Sequence, residues 1–134
     1  MTMDLELTVA TERRVQLREI TRQVGEKVRQ AGIVSGTGIL FCPHTTAGLL
    51  INENADPDVA SDLERAFAAA VPEVRFDHAE GNSDSHFLSS IVGSSLNLIV
   101  ENGSVRLGRW QGIFLCEFDG PRTRRVWLQV LAGR

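Results

Sequence analysis

Tyrosine is absent from the 134 residues, so no phenol can serve as acid, base or nucleophile. Lysine occurs once, as Lys27, and the other basic residues are arginine. Cysteine occurs twice, at Cys42 and Cys116, with no Cys-x-x-Cys pair. A disulfide scaffold is thereby excluded, and both thiols lie in apolar runs, which reads as reduced and inert. No apolar run approaches the length of a membrane-spanning helix. The N-terminal residues are acidic and alternating, unlike the basic start and apolar stretch of a secretory signal. A cytoplasmic location is the expectation. No Gly-Lys-Ser/Thr loop, no Gly-x-Ser-x-Gly elbow and no His-Glu-x-x-His helix is present, so nucleotide-loop, hydrolase-elbow and zincin readings lose their local support. A net charge of −3 argues against a nucleic-acid partner.

What is present is ordinary globular composition: 43% apolar and 23% charged residues. The length suits one domain over residues 1–134, able to bury roughly two thirds of its unfolded surface. Leu5, Leu7 and Val9 alternate as a first strand, and Val15 and Leu17 resume the alternation. Thr21 is placed to cap a helix bearing Val24, Val28 and Ala31, which Gly32 stops. Ile33 to Cys42 reads as a largely buried strand ended by Pro43. Asp56-Pro57 is a strong helix start, followed by Val59, Leu63, Ala66, Phe67 and Ala70 at helical spacing. Residues 84–92 read as a short helix. Leu96 to Val100, Val105 to Leu107, Ile113 to Phe118 and Val126 to Val130 read as strands, with Asn102-Gly103 as a two-residue hairpin turn. About seven strands and two or three helices that do not alternate regularly predict an α+β, mostly antiparallel fold.

The three histidines, His44, His78 and His86, lie in polar, turn-like contexts. His78 and Glu80, and likewise Asp84 and His86, are two apart, so an extended backbone would point each pair one way. Three imidazoles with nearby carboxylates suit a divalent transition metal, the carboxylates orienting rings or acting as general base. The plainer alternative is three hydrogen-bonded or surface histidines. Glu53 reads equally as a base or substrate ligand and as part of the Asn52–Asp56 lead-in to the next helix. Gly93-Ser94-Ser95 is able to hold an anion, or is only a tight turn. Trp110, beside Gln111, either stacks on a ligand ring or packs at the core edge. Glu117 either faces inward, where it needs a partner, or faces solvent.

Taken together, Pro43-His44-Thr45-Thr46-Ala47, Ile51 to Asp58, His78 to His86, Gly93-Ser94-Ser95-Leu96 and Gly108 to Ile113 resemble the YjbQ-like family, from about Val15 to Val130. The resemblance implies two packed sheets, a homotrimer and a polar pocket gathering the histidines. It implies His44, His78 and His86 as metal or substrate ligands, with Glu80 and Asp84 as acidic neighbours. Glu53, Trp110, Gln111 and Glu117 match family motif positions without an assigned role. Thr45, Asn82, Ser94, Ser95, Arg109, Trp110, Gln111 and Glu117 are the candidate substrate contacts, and Glu53, Glu80 and Asp84 the candidate catalytic carboxylates. A thiamine-phosphate synthase activity is associated with the family. Arg109 or Arg125 would then steady the leaving pyrophosphate. Magnesium prefers oxygen ligands, so histidine ligands favour zinc and, with it, hydrolysis with Glu80 or Glu53 as base. A non-catalytic trimer that binds a small molecule or a metal is the other alternative.

Overall fold

A computed structural model describes residues 2–133. The elements in order are β1 (Thr2–Ala10), β2 (Gln16–Glu19), α1 (Thr21–Ala31), β3 (Gly36–Phe41), β4 (Ala47–Glu53), α2 (Pro57–Ala69), α3 (Ser83–Val92), β5 (Ser95–Glu101), β6 (Ser104–Arg106), β7 (Gln111–Glu117) and β8 (Thr123–Ala132). They form a five-stranded sheet, β1-β8-β3-β5-β6, and a three-stranded sheet, β2-β7-β4, with every pairing antiparallel. The antiparallel α+β fold is as the residue pattern predicts, and the two sheets are as the YjbQ-like resemblance implies.

The sheets pack face to face over Leu7, Val9, Leu40, Leu98, Val100, Val126, Leu128 and Val130 from one side and Ala47, Leu49, Ile113 and Leu115 from the other. α1 adds Val24, Val28 and Ala31 to this core. A second cluster covers the opposite face of the small sheet. There Leu17, Phe114, Cys116 and Phe118 meet Leu88 and Phe87 of α3 and Leu63 and Phe67 of α2. Central strand β7 is thus covered on both faces, which is why Ile113 to Cys116 reads as an unbroken apolar run rather than an alternation.

Local chemistry explains most boundaries. The Asp56 side chain accepts from the Asp58 amide, and Pro57 opens α2. Asn102 and Gly103 both have positive φ, as the hairpin turn requires. Three expectations need correction. Thr21 does not cap α1: its hydroxyl accepts from the Ile113 amide and donates to Glu19, tying the helix start to β7. Ala47–Glu53 is an eighth strand, which the sequence reading did not assign. β3 is buried on one side only, because no layer of the described residues covers the outer face of the large sheet, and Ile39 and Phe41 are exposed there.

Candidate functional site

The site forms where β3 ends and β8 continues. Phe41–Trp127 is the last β3–β8 pair. Pro43 follows, and β8 still offers the Arg125 amide. The His44 imidazole takes the place of a strand partner: its Nε2 accepts from the Arg125 N–H at 2.9 Å. That acceptance uses the Nε2 lone pair, so a neutral ring carries its proton on Nδ1. Burial, and after it the positive charge of Arg124, hold the imidazole below its ordinary range. His44 is thus a neutral hydrogen-bond donor. The folding stability it contributes is complete above about pH 6.5 and declines as the pH falls below it.

α3 supplies His86. Positions 86, 89 and 90 share one helix face, so His86, Ser89 and Ser90 look the same way. The helix is pinned at several points. Ser85 Oγ donates to the Phe118 carbonyl at 2.5 Å, Ser89 Oγ to the Ala47 carbonyl at 2.7 Å, and Arg14 holds Asp84 at 3.1 Å. Gly48 makes close docking feasible, since a Cβ there would stand 2.6 Å from the Gly93 carbonyl oxygen.

Beneath lies a buried ion pair. Arg124 Nε donates to Glu117 at 2.9 Å, and its Nη2 reaches Glu117 as well and Thr46 Oγ1 at 2.8 Å. Glu117 also accepts from Thr11 Oγ1 at 2.7 Å and from the Asp119 amide at 3.1 Å. Burial alone would raise the Glu117 carboxyl, but hydrogen bonds from Arg124, Thr11 and Asp119 outweigh it and hold the group below the usual range. Among the Glu117 and Arg124 donors and acceptors, these contacts leave the carboxylate fully engaged.

Two lobes open around the shared residues His44, Thr45 and His86. One, about 310 Å³, is lined in addition by Thr46, Glu80, Asn82, Arg122 and Arg124. The other, about 390 Å³, is lined by Ser89, Ser90, Gly93 and Ser94. The first is charged and the second is neutral and hydroxyl-rich, with imidazoles at the junction.

The UPF0047 YjbQ-like family profile matches residues 5–133. The chain belongs to this family. It is 50% identical over 127 residues to the UPF0047 protein YugU of Bacillus subtilis, covering 93% of this chain and 96% of that one. It is 40% identical over 127 residues to a UPF0047 protein of Methanocaldococcus jannaschii, covering 94% and 92%. A crystal structure of an uncharacterized YjbQ/UPF0047 protein from Clostridium acetobutylicum superposes with a TM-score of 0.90 at 44% identity, covering 95% of this chain and 99% of that one. A YbjQ-like protein of unknown function from Sulfolobus solfataricus gives a TM-score of 0.93 at 28% identity, covering 99% of each.

The residues singled out by the YjbQ-like motifs fall into separate groups in the fold. His44, Thr45, Glu80, Asn82, His86 and Ser94 line the two lobes. His78 and Asp84 line a neighbouring hollow with Phe76, Gly81 and Ser83. Asp84 and His86 do not point the same way, because they sit on a helix rather than an extended segment: Asp84 goes to Arg14, His86 to the cleft. Glu117 lies under the cleft as the counter-ion of Arg124. Ser95 begins β5, paired with Phe41. Glu53 and Gln111 pair at the far end of β4 and β7, seven-residue strands whose opposite ends are about 20 Å apart. Arg109 stacks on the exposed Trp110 ring at 4.8 Å beside them. These four residues do not meet the histidines within one chain.

Nor are the three imidazoles one ligand set. Among the described residues no group of three His, Cys, Asp or Glu is placed to share a metal ion. The His44 Nε2 lone pair is taken by Arg125, while His78 and His86 meet edge to face with centroids 5.4 Å apart and Glu80 stands 3.8 Å from His78. The donor geometry of the single chain does not fit a three-histidine zinc or magnesium centre. Sequence reasoning missed Arg122, Arg124 and Thr46. The signal for Arg124 was available, because it occupies an inward position of the alternation Val126, Leu128, Val130 and so demands a buried partner.

Proposed function

We propose that the chain is a small-molecule enzyme that works by imidazole acid–base chemistry in the two-lobed cleft. The observation that carries the reading is His44, held neutral with its proton on Nδ1, bordering the same cleft as His86. A neutral imidazole donates a hydrogen bond to a substrate oxygen without carrying charge. His86, with no ring hydrogen bond among the described residues, is the ring that passes a proton to the departing phosphate oxygen and regains one from water. Condensation of a pyrimidine pyrophosphate with a thiazole phosphate, releasing pyrophosphate, is the reaction that the family resemblance offers, and it is the first assay.

Formation of thiamine phosphate would be followed for the wild type, His86→Ala and Glu53→Gln. His86→Ala is expected to lower kcat by about 10²–10⁴-fold. Glu53→Gln, at the remote strand ends, is expected to leave kcat unchanged. Equal rates for His86→Ala and the wild type would remove the acid–base role. A substrate that binds with no turnover in any variant would favour the non-catalytic alternative.

The same proposal includes a homotrimer. Its support is the bare outer face of the large sheet, where Ile39, Phe41, Ile99 and Trp127 are exposed and Phe41 stacks on Trp127 at 5.9 Å. An apolar patch of this kind, bordered by Asp4, Glu6 and Gln129, suits an interaction surface. Trp127→Glu is expected to convert a three-chain particle into single chains by light scattering; an unchanged mass would place the interface elsewhere. No helix of the described residues is long and apolar enough to cross a membrane.

A further inference from the structure

We infer that the arginine lobe of the cleft is a subsite for a phosphate group that carries or adjoins a hydrogen-bond donor. The inference rests on the cleft reading above for its location and names what one lobe holds.

Two guanidinium ends supply the donors. Arg124 is 2% exposed, and its Nε and Nη2 are spent on Glu117 and Thr46. Its Nη1 has no partner among the described residues, and the residue lines the lobe. Arg122 repeats the pattern at the rim: Nε donates to the Asp119 carbonyl at 2.9 Å and Nη2 to the Asp119 carboxylate at 3.1 Å, which leaves Nη1 over. Paired guanidiniums of this kind are fixed in direction, and fixed planar donors suit phosphate oxygens.

Acceptors set the second half of the specificity. Asn82 Nδ2 donates to Asp119 at 3.0 Å, which fixes the amide orientation. Its Oδ1 is buried and has no hydrogen-bond partner. A buried orphan acceptor is costly, so one in a cleft wall calls for a donor from the occupant. The Glu80 carboxylate, on the same lobe, is a second acceptor. A fully deprotonated oxyanion satisfies the arginines but sets its own lone pairs against Asn82 and Glu80. Inorganic phosphate at neutral pH keeps an O–H and satisfies both kinds of group. Sulfate does not. The corresponding substrate is a small phosphorylated molecule with a hydroxyl or amine beside its phosphate, its uncharged portion reaching past the imidazoles into the serine lobe.

Calorimetric titration of the full chain with inorganic phosphate and with sulfate, at neutral pH and low ionic strength, tests this without any turnover. Phosphate is expected to bind at least about tenfold more tightly than sulfate, the scale of one charge-assisted hydrogen bond. Asn82→Ala should abolish that preference. Arg122→Ala should weaken phosphate by about tenfold or more. Arg22→Ala removes the same charge from the surface of α1, where its side chain meets Glu26, and should bind phosphate as the wild type does. Arg124 is intact in every variant, so the buried pair is undisturbed. Equal affinity for sulfate, equal losses in Arg122→Ala and Arg22→Ala, or no binding of phosphate would each overturn the inference. Because binding is read directly, phosphate binding without turnover would sink only the enzyme reading, and turnover without phosphate binding only this one.

Discussion

Replacing Glu117 by alanine is expected to cost about 3–5 kcal/mol of folding stability, the largest effect of any single change considered, because it leaves the Arg124 charge buried without its counter-ion. Arg124 is 2% exposed and Glu117 fully buried, so water cannot take over the lost contacts. The Asp119 amide loses its acceptor in the same step, and the Thr11 hydroxyl keeps only the Arg122 carbonyl. Urea unfolding monitored by tryptophan fluorescence measures the loss, and a change below about 1 kcal/mol, the scale of an exposed ion pair, would contradict it. The paired substitution Glu117→Leu with Arg124→Met removes both charges and is expected to recover most of the stability. Acid acts on the wild type in the same direction. The carboxyl is held below its unfolded value, so the pair's contribution is complete above about pH 4.3 and is lost as the pH falls through the lower folded value.

Gly48→Ala is the second large effect. The new Cβ would lie 2.6 Å from the Gly93 carbonyl oxygen and 2.9 Å from Val92 Cγ1. A backbone carbonyl, itself accepting from the Leu49 amide at 3.1 Å, has little room to yield. Overpacking of this kind costs about 1–3 kcal/mol. The consequence extends beyond stability, because Val92 and Gly93 end the helix that carries His86. Separation of α3 from β4 widens the gap between His86 and His44. Lowered thermal stability together with lost ligand binding is therefore expected; full binding in a destabilised variant would show that α3 docks independently of β4.

Much of this arrangement was readable in the chain, and the failures have physical causes. Asp56-Pro57 and Asn102-Gly103 act through their own backbones, so local sequence was sufficient. Ile39 and Phe41 were read as buried because composition cannot say whether a second layer covers a strand. Ala47–Glu53 was missed as a strand because its apolar residues serve two cores at once, which erases the period-2 signal. In the site, the motifs named His44, Asn82 and His86, which line one lobe, but spacing misjudged Asp84 and His86, whose relation depends on whether residue 84 is already helical. The Glu117–Arg124 pair was half visible: Glu117 was read as needing a partner if it faced inward, while Arg124 was not singled out. Remote Glu53, Arg109, Trp110 and Gln111 were grouped with the histidines by motif order, which carries no distance.

His44 caps the unpaired amide of β8 with the same ring that borders the cleft. Chemistry and architecture are therefore tied to one side chain, and drift at position 44 cannot alter one without taxing the other. Thr45 and Ser94 are different, since their side chains hold nothing else in place among the described residues while lining the same cleft. New substrate preferences would accordingly arise at those two positions first, with the histidine left as the fixed point around which the pocket is retuned.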